Sequence, residues 1–394
     1  MRLPLCGALL CLQALQAAAQ TPITYDIIQA KARPAPEQWR TESLLAEHHL
    51  RLQESRGFLR EGPTLSFQAG PRRSPSAPGS TDKGFEVDLP LFLSPRLRQD
   101  LETSLGKAHP MLKEAAQREG ALRLRRAYLD AWLATRLLTL RETDRATVAG
   151  WLKVAKARVE AGADPAFQVA LVEGESLKVQ LEWNEAQLQA LQAWSALVAL
   201  TEVPEKATPL ADPGPLPARP AMDLDQQFKE SPLRKALVAQ AELEARSLRL
   251  QEAQSLSRWS LRGSHAQEGD EKVTRIGMAV RLPRPGESEA IRRSTEAQLR
   301  VRQGEARQAL ADLEARCQGV FTQLQNAGSS DKVPDFTQAL GAVSLRLEEG
   351  RERPSEALPI RRQLLEAQMA SLRQIYTQHL LLAELQTLLP EVKP

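Results

Sequence analysis

Aromatic side chains make up only 4% of this 394-residue chain, too few to fill the interior of a large sheet-rich domain. Ala, Leu, Glu, Gln and Arg dominate instead, which is the composition of long packed helices. Neither sign of charge prevails: 52 Lys and Arg against 49 Asp and Glu leave a formal net charge of +3. That is too small to imply a nucleic-acid partner, and the basic residues are interspersed with acidic ones as on solvated helix faces. Cysteine is scarce. Two of the three, Cys6 and Cys11, fall in the first 19 residues and only Cys317 lies beyond. A chain that loses this leader has no pair to oxidise, so no intramolecular disulfide is expected, and Cys317 reads as a buried thiol. After residue 19 no stretch holds the ~18 uncharged apolar residues that a transmembrane helix requires. If the mature chain crosses a membrane, it must do so with strands.

The motifs of chemistry are missing too. There is no glycine-rich phosphate loop, zinc-binding cysteine pair or nucleophile signature. Of five histidines only His48 and His49 are close in sequence, and neighbours on a helix diverge by about 100°, a poor chelate. His379 sits in an apolar helix and reads as a packed or interface side chain. The expectation is no catalytic residue, no cofactor and no metal: this is not an enzyme.

What is present begins with Met1 to Ala19, one basic residue followed by an apolar stretch and Ala17-Ala18-Ala19. This predicts a signal peptide over 1–19, cleaved before Gln20. Cys6 follows Leu5, and Cys11 follows Leu9-Leu10. Neither has the small residues before it that lipoprotein processing needs, so no lipid anchor is expected.

The rest says something twice. Gly84-Phe85-Glu86-Val87-Asp88-Leu89-Pro90 returns as Gly277-Met278-Ala279-Val280-Arg281-Leu282-Pro283, and Arg158-Val159-Glu160-Ala161-Gly162 returns as Arg346-Leu347-Glu348-Glu349-Gly350. The offsets are 193 (277 minus 84) and 188 (346 minus 158), far beyond the roughly 20 to 50 residues of a solenoid module. The chain is therefore an internal duplication, with repeats over 20–203 and 221–389, a Pro-rich linker over 204–220 and a short tail over 390–394.

Each repeat holds two segments whose period is 2 rather than 3.6. They lie at about 63–70 and 84–90 in the first repeat, and at about 258–264 and 273–282 in the second. Leu65, Phe67, Phe85, Val87, Leu89, Trp259, Leu261, Ile276, Met278, Val280 and Leu282 mark one apolar face; Glu86, Asp88, Arg262, Arg275 and Arg281 fall on the other. A soluble hairpin packed on a helix alternates in the same way. Two such hairpins behind a signal peptide, with no other membrane element, favour strands that face lipid on one side and a lumen on the other. Four strands cannot close a barrel, which needs roughly eight, so several copies must contribute.

Long helical patterns flank the strands. From about Pro95 to Ala161 the pattern is nearly unbroken, on the order of 100 Å at 1.5 Å per residue, with a bend expected at His109-Pro110. Leu129, Leu133, Leu137 and Leu140 have coiled-coil spacing, as do Leu177, Leu181, Leu188, Leu191 and Val198. Trp183, Ala186, Ala190, Trp194 and Leu197 form a second stripe beside the last. A helix with two apolar stripes wants neighbours on both sides, as in a helical barrel; packing in a simple bundle is the competing reading. Ala327 to Pro334 interrupts the corresponding helix of the second repeat. Gly162-Ala163-Asp164-Pro165 reads as a helix stop and start, with Gly in a left-handed cap, Asp164 as N-cap and Pro at the first helical position. Gly350 to Pro354 is its counterpart.

Arg-x-x-x-Gly, a short polar turn, an apolar pair and a long Gln- and Ala-rich helix, placed twice and each preceded by a strand ending in Leu-Pro, resembles the TolC-like outer membrane efflux protein family from Ile23 through Leu389. The resemblance implies a mainly α fold in which a homotrimer forms a periplasmic α-helical tunnel and a twelve-stranded outer membrane β-barrel, four strands per protomer. It implies a periplasmic adaptor, an inner membrane pump and outer membrane lipid as partners. It also implies that Arg158, Gly162, Asp164, Val169, Arg346, Gly350, Arg351, Arg353 and Leu358 belong to the gate and adaptor-contact tips. The sequence departs from that pattern at Arg284-Pro285 and at Pro359. An exit duct for efflux is the leading expectation. A duct for type I protein secretion and a periplasmic coiled-coil adaptor without a barrel remain as alternatives.

Overall fold

A computed structural model of the chain describes residues 22–54, 63–71, 81–91, 95–202, 209–216, 223–257, 259–268, 271–282, 284–327 and 333–390. The expected signal peptide, the outer parts of the linker and most of the C-terminal tail lie outside these residues. The helices are α1 (Tyr25–Ala30), α2 (Pro36–Glu54), α3 (Pro95–Glu160), α4 (Phe167–Ala199), α5 (Leu224–Lys229), α6 (Pro232–Leu256), α7 (Glu287–Asn326), α8 (Thr337–Glu348) and α9 (Pro354–Leu388). The strands are β1 (Thr64–Pro71), β2 (Thr81–Pro90), β3 (Trp259–Glu268) and β4 (Glu271–Val280). Helix α3 runs for 66 residues with Pro110 in its interior, and α9 likewise continues through Pro359. No helix among the described residues is long and apolar enough to cross a membrane.

The contacts divide the chain into two units that cut across the repeats. One comprises Pro36–Gln117 and Phe228–Arg316, the other Met1–Ala35, Arg118–Gln227 and Cys317–Pro394. In the first of these, Leu45 and Leu52 of α2 pack with Leu101, Leu105, Ala108 and Leu112 of α3 and Ala236, Leu243 and Leu250 of α6. Steps of seven on two helices and of 4, 3 and 4 on the third place each set on one helical stripe. Ser231 caps α6, its Oγ accepting from the Arg234 amide at 3.4 Å. That cap is followed by Pro232 at the first helical position, as the sequence dictates.

The same unit holds one antiparallel sheet in the order β1-β2-β3-β4. Its central pairing joins the two repeats, with Val87 opposite Gly263 and Leu89 opposite Leu261. The strands are displaced from their expected positions: β3 extends to Glu268, and β4 starts at Glu271 and ends at Val280. Arg281 and Leu282 therefore lie past the end of β4, just ahead of a proline-bearing segment that cannot continue the ladder.

In the other unit, Leu124, Tyr128, Leu129 and Trp132 of α3 meet Trp194 and Leu197 of α4 and Leu372 and Ile375 of α9. The described part of the linker is docked rather than free. Ile23 bridges Leu210, the Tyr128 hydroxyl donates to the Ala211 carbonyl at 2.7 Å, and Trp132 Nε1 donates to Asp212 Oδ1 at 2.9 Å. The two stripes of α4 have different fates. Ala186, Trp194 and Leu197 are buried, whereas Leu177, Leu181, Leu188 and Leu191 are each more than half exposed. Cys317 and His379 are both buried.

Candidate functional site

The two helix turns are built alike. At the first, the amide of Gly162 donates to the Val159 carbonyl at 3.0 Å and that of Ala163 to Arg158 at 2.8 Å. At the second, Gly350 donates to Leu347 at 3.2 Å and Arg351 to Arg346 at 2.9 Å. Both patterns are Schellman caps, in which the residue after the cap must turn left-handed. Gly162 and Gly350 do so, with φ of 72° and 79°. Glycine alone adopts this conformation without steric cost.

The restart differs from the sequence expectation at the first turn. Helix α4 begins at Phe167 with Ala166 as its cap, so Asp164 is not an N-cap. Its carboxylate is buried against Arg158 instead, Nε to Oδ2 at 2.7 Å and Nη2 to Oδ1 at 3.2 Å. A charge-assisted hydrogen bond within a buried ion pair outcompetes the weaker cap. At the second turn α9 does begin at Pro354, and Glu356 reaches back to accept from the Arg353 amide at 3.2 Å.

Arg158 also ties the two turns together. Its Nη1 donates to the Leu347 carbonyl at 2.8 Å, a second bond to an oxygen that already accepts from the Gly350 amide. Gln168 ties in the start of α9. Its amide oxygen accepts from the Ser355 amide at 3.2 Å and its Nε2 donates to Ser355 Oγ at 3.3 Å. Beneath both turns Val148, Trp151, Ala155, Val172, Val179, Val343, Leu347, Ala357 and Leu358 share one core, with Val169 packed against it. Arg158, Asp164 and Leu358 thus build the tip from within. Arg158 and Asp164 neutralise each other largely under cover. Arg346, Arg351 and Arg353 are exposed.

Further along the same helices lies a charge cluster that sequence reasoning missed. Arg361, buried on α9, reaches Asp144 of α3 and Glu175 of α4, and Arg362 makes a second contact to Glu175, Nε to Oε1 at 3.0 Å. The hydrogen bond from Arg362, helped by the charge of Arg361, holds the Glu175 carboxyl below its usual range against the opposing effect of burial. The sequence carries no clear signal for it: Asp144 has Arg141 and Thr147 one turn away and Glu175 has Lys178, so both read as parts of a solvated face.

On the sheet, the strand registers carry the alternation through all four strands. Leu65, Val87, Gly263 and Ile276 form one cross-strand row, and Phe67, Phe85, His265 and Thr274 the next, on one face. On the other, Glu86 stands in a row with Ser264 and Arg275, and Asp88 with Arg262. Arg262 Nε pairs with Glu86 Oε1 at 2.7 Å, and its Nη2 lies 3.5 Å from Asp88 Oδ2. Four of the five residues expected on a lumen face are therefore on one face. Arg281 is off the strand, 3.8 Å from Glu287. Among the described residues no cluster of His, Cys, Asp and Glu could hold a metal.

No protein-family model and no curated protein sequence matches the chain. Solved structures do. The chain is similar to the outer membrane protein VceC of Vibrio cholerae, with a TM-score of 0.68 at 16% identity over 89% of this chain and 92% of that one. It is also similar to the CmeC outer membrane channel of Campylobacter jejuni, with a TM-score of 0.65 at 14% identity over 95% and 84%. The open state of the MtrE outer membrane channel of Neisseria gonorrhoeae gives 0.63 at 15% over 92% and 87%. The chain has the TolC-like fold of outer membrane channels.

Proposed function

We propose that this chain is the outer membrane exit duct of a tripartite efflux system. It works as a homotrimer that passively conducts small substrates handed over by an inner membrane pump and a periplasmic adaptor. The observation that carries the proposal is the four-stranded sheet, with a continuous apolar face, a charged face and two open edges, in a chain whose fold is that of outer membrane channels. An isolated sheet with exposed edges is an aggregation hazard; closure with two further copies removes the edges and yields twelve strands. The exposed leucine seam of α4 supplies a second surface for neighbouring copies. The paired tips, with Gly162 and Gly350 at their turns and Arg346, Arg351 and Arg353 exposed, are the gate and the adaptor contact.

The open sheet also favours a duct over a periplasmic coiled-coil adaptor, which needs no lipid-facing strands. Purified in detergent, the protein should scatter light as a trimer and conduct ions when added to a planar bilayer. A stable monomer with intact strands, or trimers without conductance, would refute the reading.

A further inference from the structure

We propose that Lys83, Gln267 and Lys272 form a rim that binds the anionic phosphate groups of lipid headgroups at the hairpin side of the bilayer. The proposal rests on the reading of the sheet as membrane-spanning and adds to it a lipid site and a ligand class.

The apolar face of the sheet can be followed row by row. From the helix side upward the rows are Trp259 with Val280; Leu89, Leu261 and Met278; Leu65, Val87, Gly263 and Ile276; and Phe67, Phe85, His265 and Thr274. None of these four rows holds Asp, Glu, Lys or Arg. The one titratable group, His265, is engaged: its Nδ1 lies 2.8 Å from Thr274 Oγ1 and its ring leans on Phe85 at 5.7 Å between centroids. The fifth row is Ala69, Lys83, Gln267 and Lys272. The face thus changes from uncharged to cationic in a single step, on two separate strands at the same level.

The position of that step matches the edge of a bilayer. Lys272 stands eight residues from Val280 (280 minus 272), about 27 Å along the strand at ~3.4 Å per residue. At a tilt of ~40° this is about 21 Å of height, close to the ~25 Å apolar band of outer membrane barrels. Side chains of lysine on the outer face at that level extend their stems along the hydrocarbon and place the ammonium among headgroups. Lys83 and Lys272 are two strand spacings apart, ~10 Å between backbones, with the Gln267 side chain between them. Both are exposed, and neither makes an ion pair among the described residues. Two unpaired ammonium groups flanking an amide, all directed outward, suit an anionic phosphate as ligand. Among the described residues the lowest row of the face, Trp259 with Val280, holds no cation, so the preference is assigned to the hairpin side.

The test uses full-length protein in detergent, titrated with mixed micelles containing either a diphosphorylated disaccharide lipid or the same lipid without its phosphates. The phosphorylated lipid should bind more tightly. Lys83→Gln and Lys272→Gln should each weaken it about fivefold, and the double variant should abolish the preference while Lys83→Arg/Lys272→Arg retains it. A preference that persists in the double glutamine variant, or its absence from the unaltered protein, overturns the proposal. Flotation with zwitterionic vesicles tells the two readings apart. Insertion without phosphate preference refutes the rim alone, whereas failure to insert refutes the spanning sheet and the rim with it.

Discussion

The guanidinium of Arg158, at the end of the first repeat's long helix, donates at 2.8 Å to the carbonyl of Leu347, at the end of its counterpart in the second repeat. The same side chain holds the buried carboxylate of Asp164, and a Cβ built on Gly350 would lie 3.5 Å from its Nη1. One arginine therefore closes the first turn on itself and fastens it to the second. The two turns are thus joined by side-chain hydrogen bonds, which predicts that a change at one is felt at the other.

Arg158→Met removes the charged donor and strands the Asp164 carboxylate. Hydrogen bonds to charged groups contribute roughly 1.5–3 kcal/mol, so a loss of local stability of about 2 kcal/mol is expected. Amide exchange at Gly350, Arg351 and Glu352 should accelerate while that in α6 stays unchanged. Adding Asp164→Asn should restore part of the protection. Unaltered exchange at the second turn would show that the bond to Leu347 does not couple the tips.

The glycines supply the next prediction. A non-glycine residue in the left-handed region costs roughly 1–2 kcal/mol, and a β-branched one more. A Cβ at Gly162 meets open space and one at Gly350 only ordinary contact with the Arg158 guanidinium, so the backbone strain should dominate at both turns. Trimers should still reach the membrane, because the turns lie outside the sheet. Export and adaptor crosslinking should fail. Efflux at the original level in the double variant would reduce both turns to ordinary connections.

The turns were legible in the sequence because Gly followed by a Pro-bearing polar stretch reads as a helix stop and restart, and the two faces of β1 to β4 follow from strict alternation, which leaves the registers open. Asp164 was misread because a side chain before Pro165 looks like an N-cap, and only the fold brings Arg158 close enough to compete for it. The Arg361 cluster was invisible for a related reason. Its members are separated by 186 and 217 positions, and no local pattern marks a charge as buried. Gln168 likewise reads as one more polar helix residue until Ser355 is placed beside it. Arg281 was put on a strand because alternation continues through Leu282, whereas the segment that follows ends the pairing at Val280.

Acid should loosen the charge cluster in a defined window. Glu175 has its folded-state pKa depressed by Arg362 and Arg361. Its contribution is thus fully present above the unfolded value of 4.5 and is lost as pH falls through the lower folded value. Melting of this unit should change little between pH 7 and 5 on this account and fall steeply below about 4.5, with Glu175→Gln flattening that fall. Arg361→Met leaves the buried Asp144 carboxylate without its partner, while Glu175 keeps Arg362, and should cost about 3–5 kcal/mol. A variant that melts like the parent would mean that water reaches the cluster.

Depth on the lipid face gives the sharpest separation. Val87 lies in the middle of the apolar rows, whereas Val280 lies in the lowest row beside Trp259. An arginine on the lipid face costs roughly 2–4 kcal/mol at the midplane and about 0–1 near an interface. Val87→Arg should therefore impair assembly strongly and Val280→Arg weakly. Glu86→Gln and Arg275→Gln, on the opposite face, should alter ion selectivity and leave assembly intact. Each can be read from the yield of heat-resistant trimers in membranes and from reversal potentials in planar bilayers. If Val87→Arg assembles as well as Glu86→Gln, the face assigned to lipid is the wrong one. If Val87→Arg and Val280→Arg are equally damaging, the sheet does not stand across a bilayer at the level that its row of lysines marks.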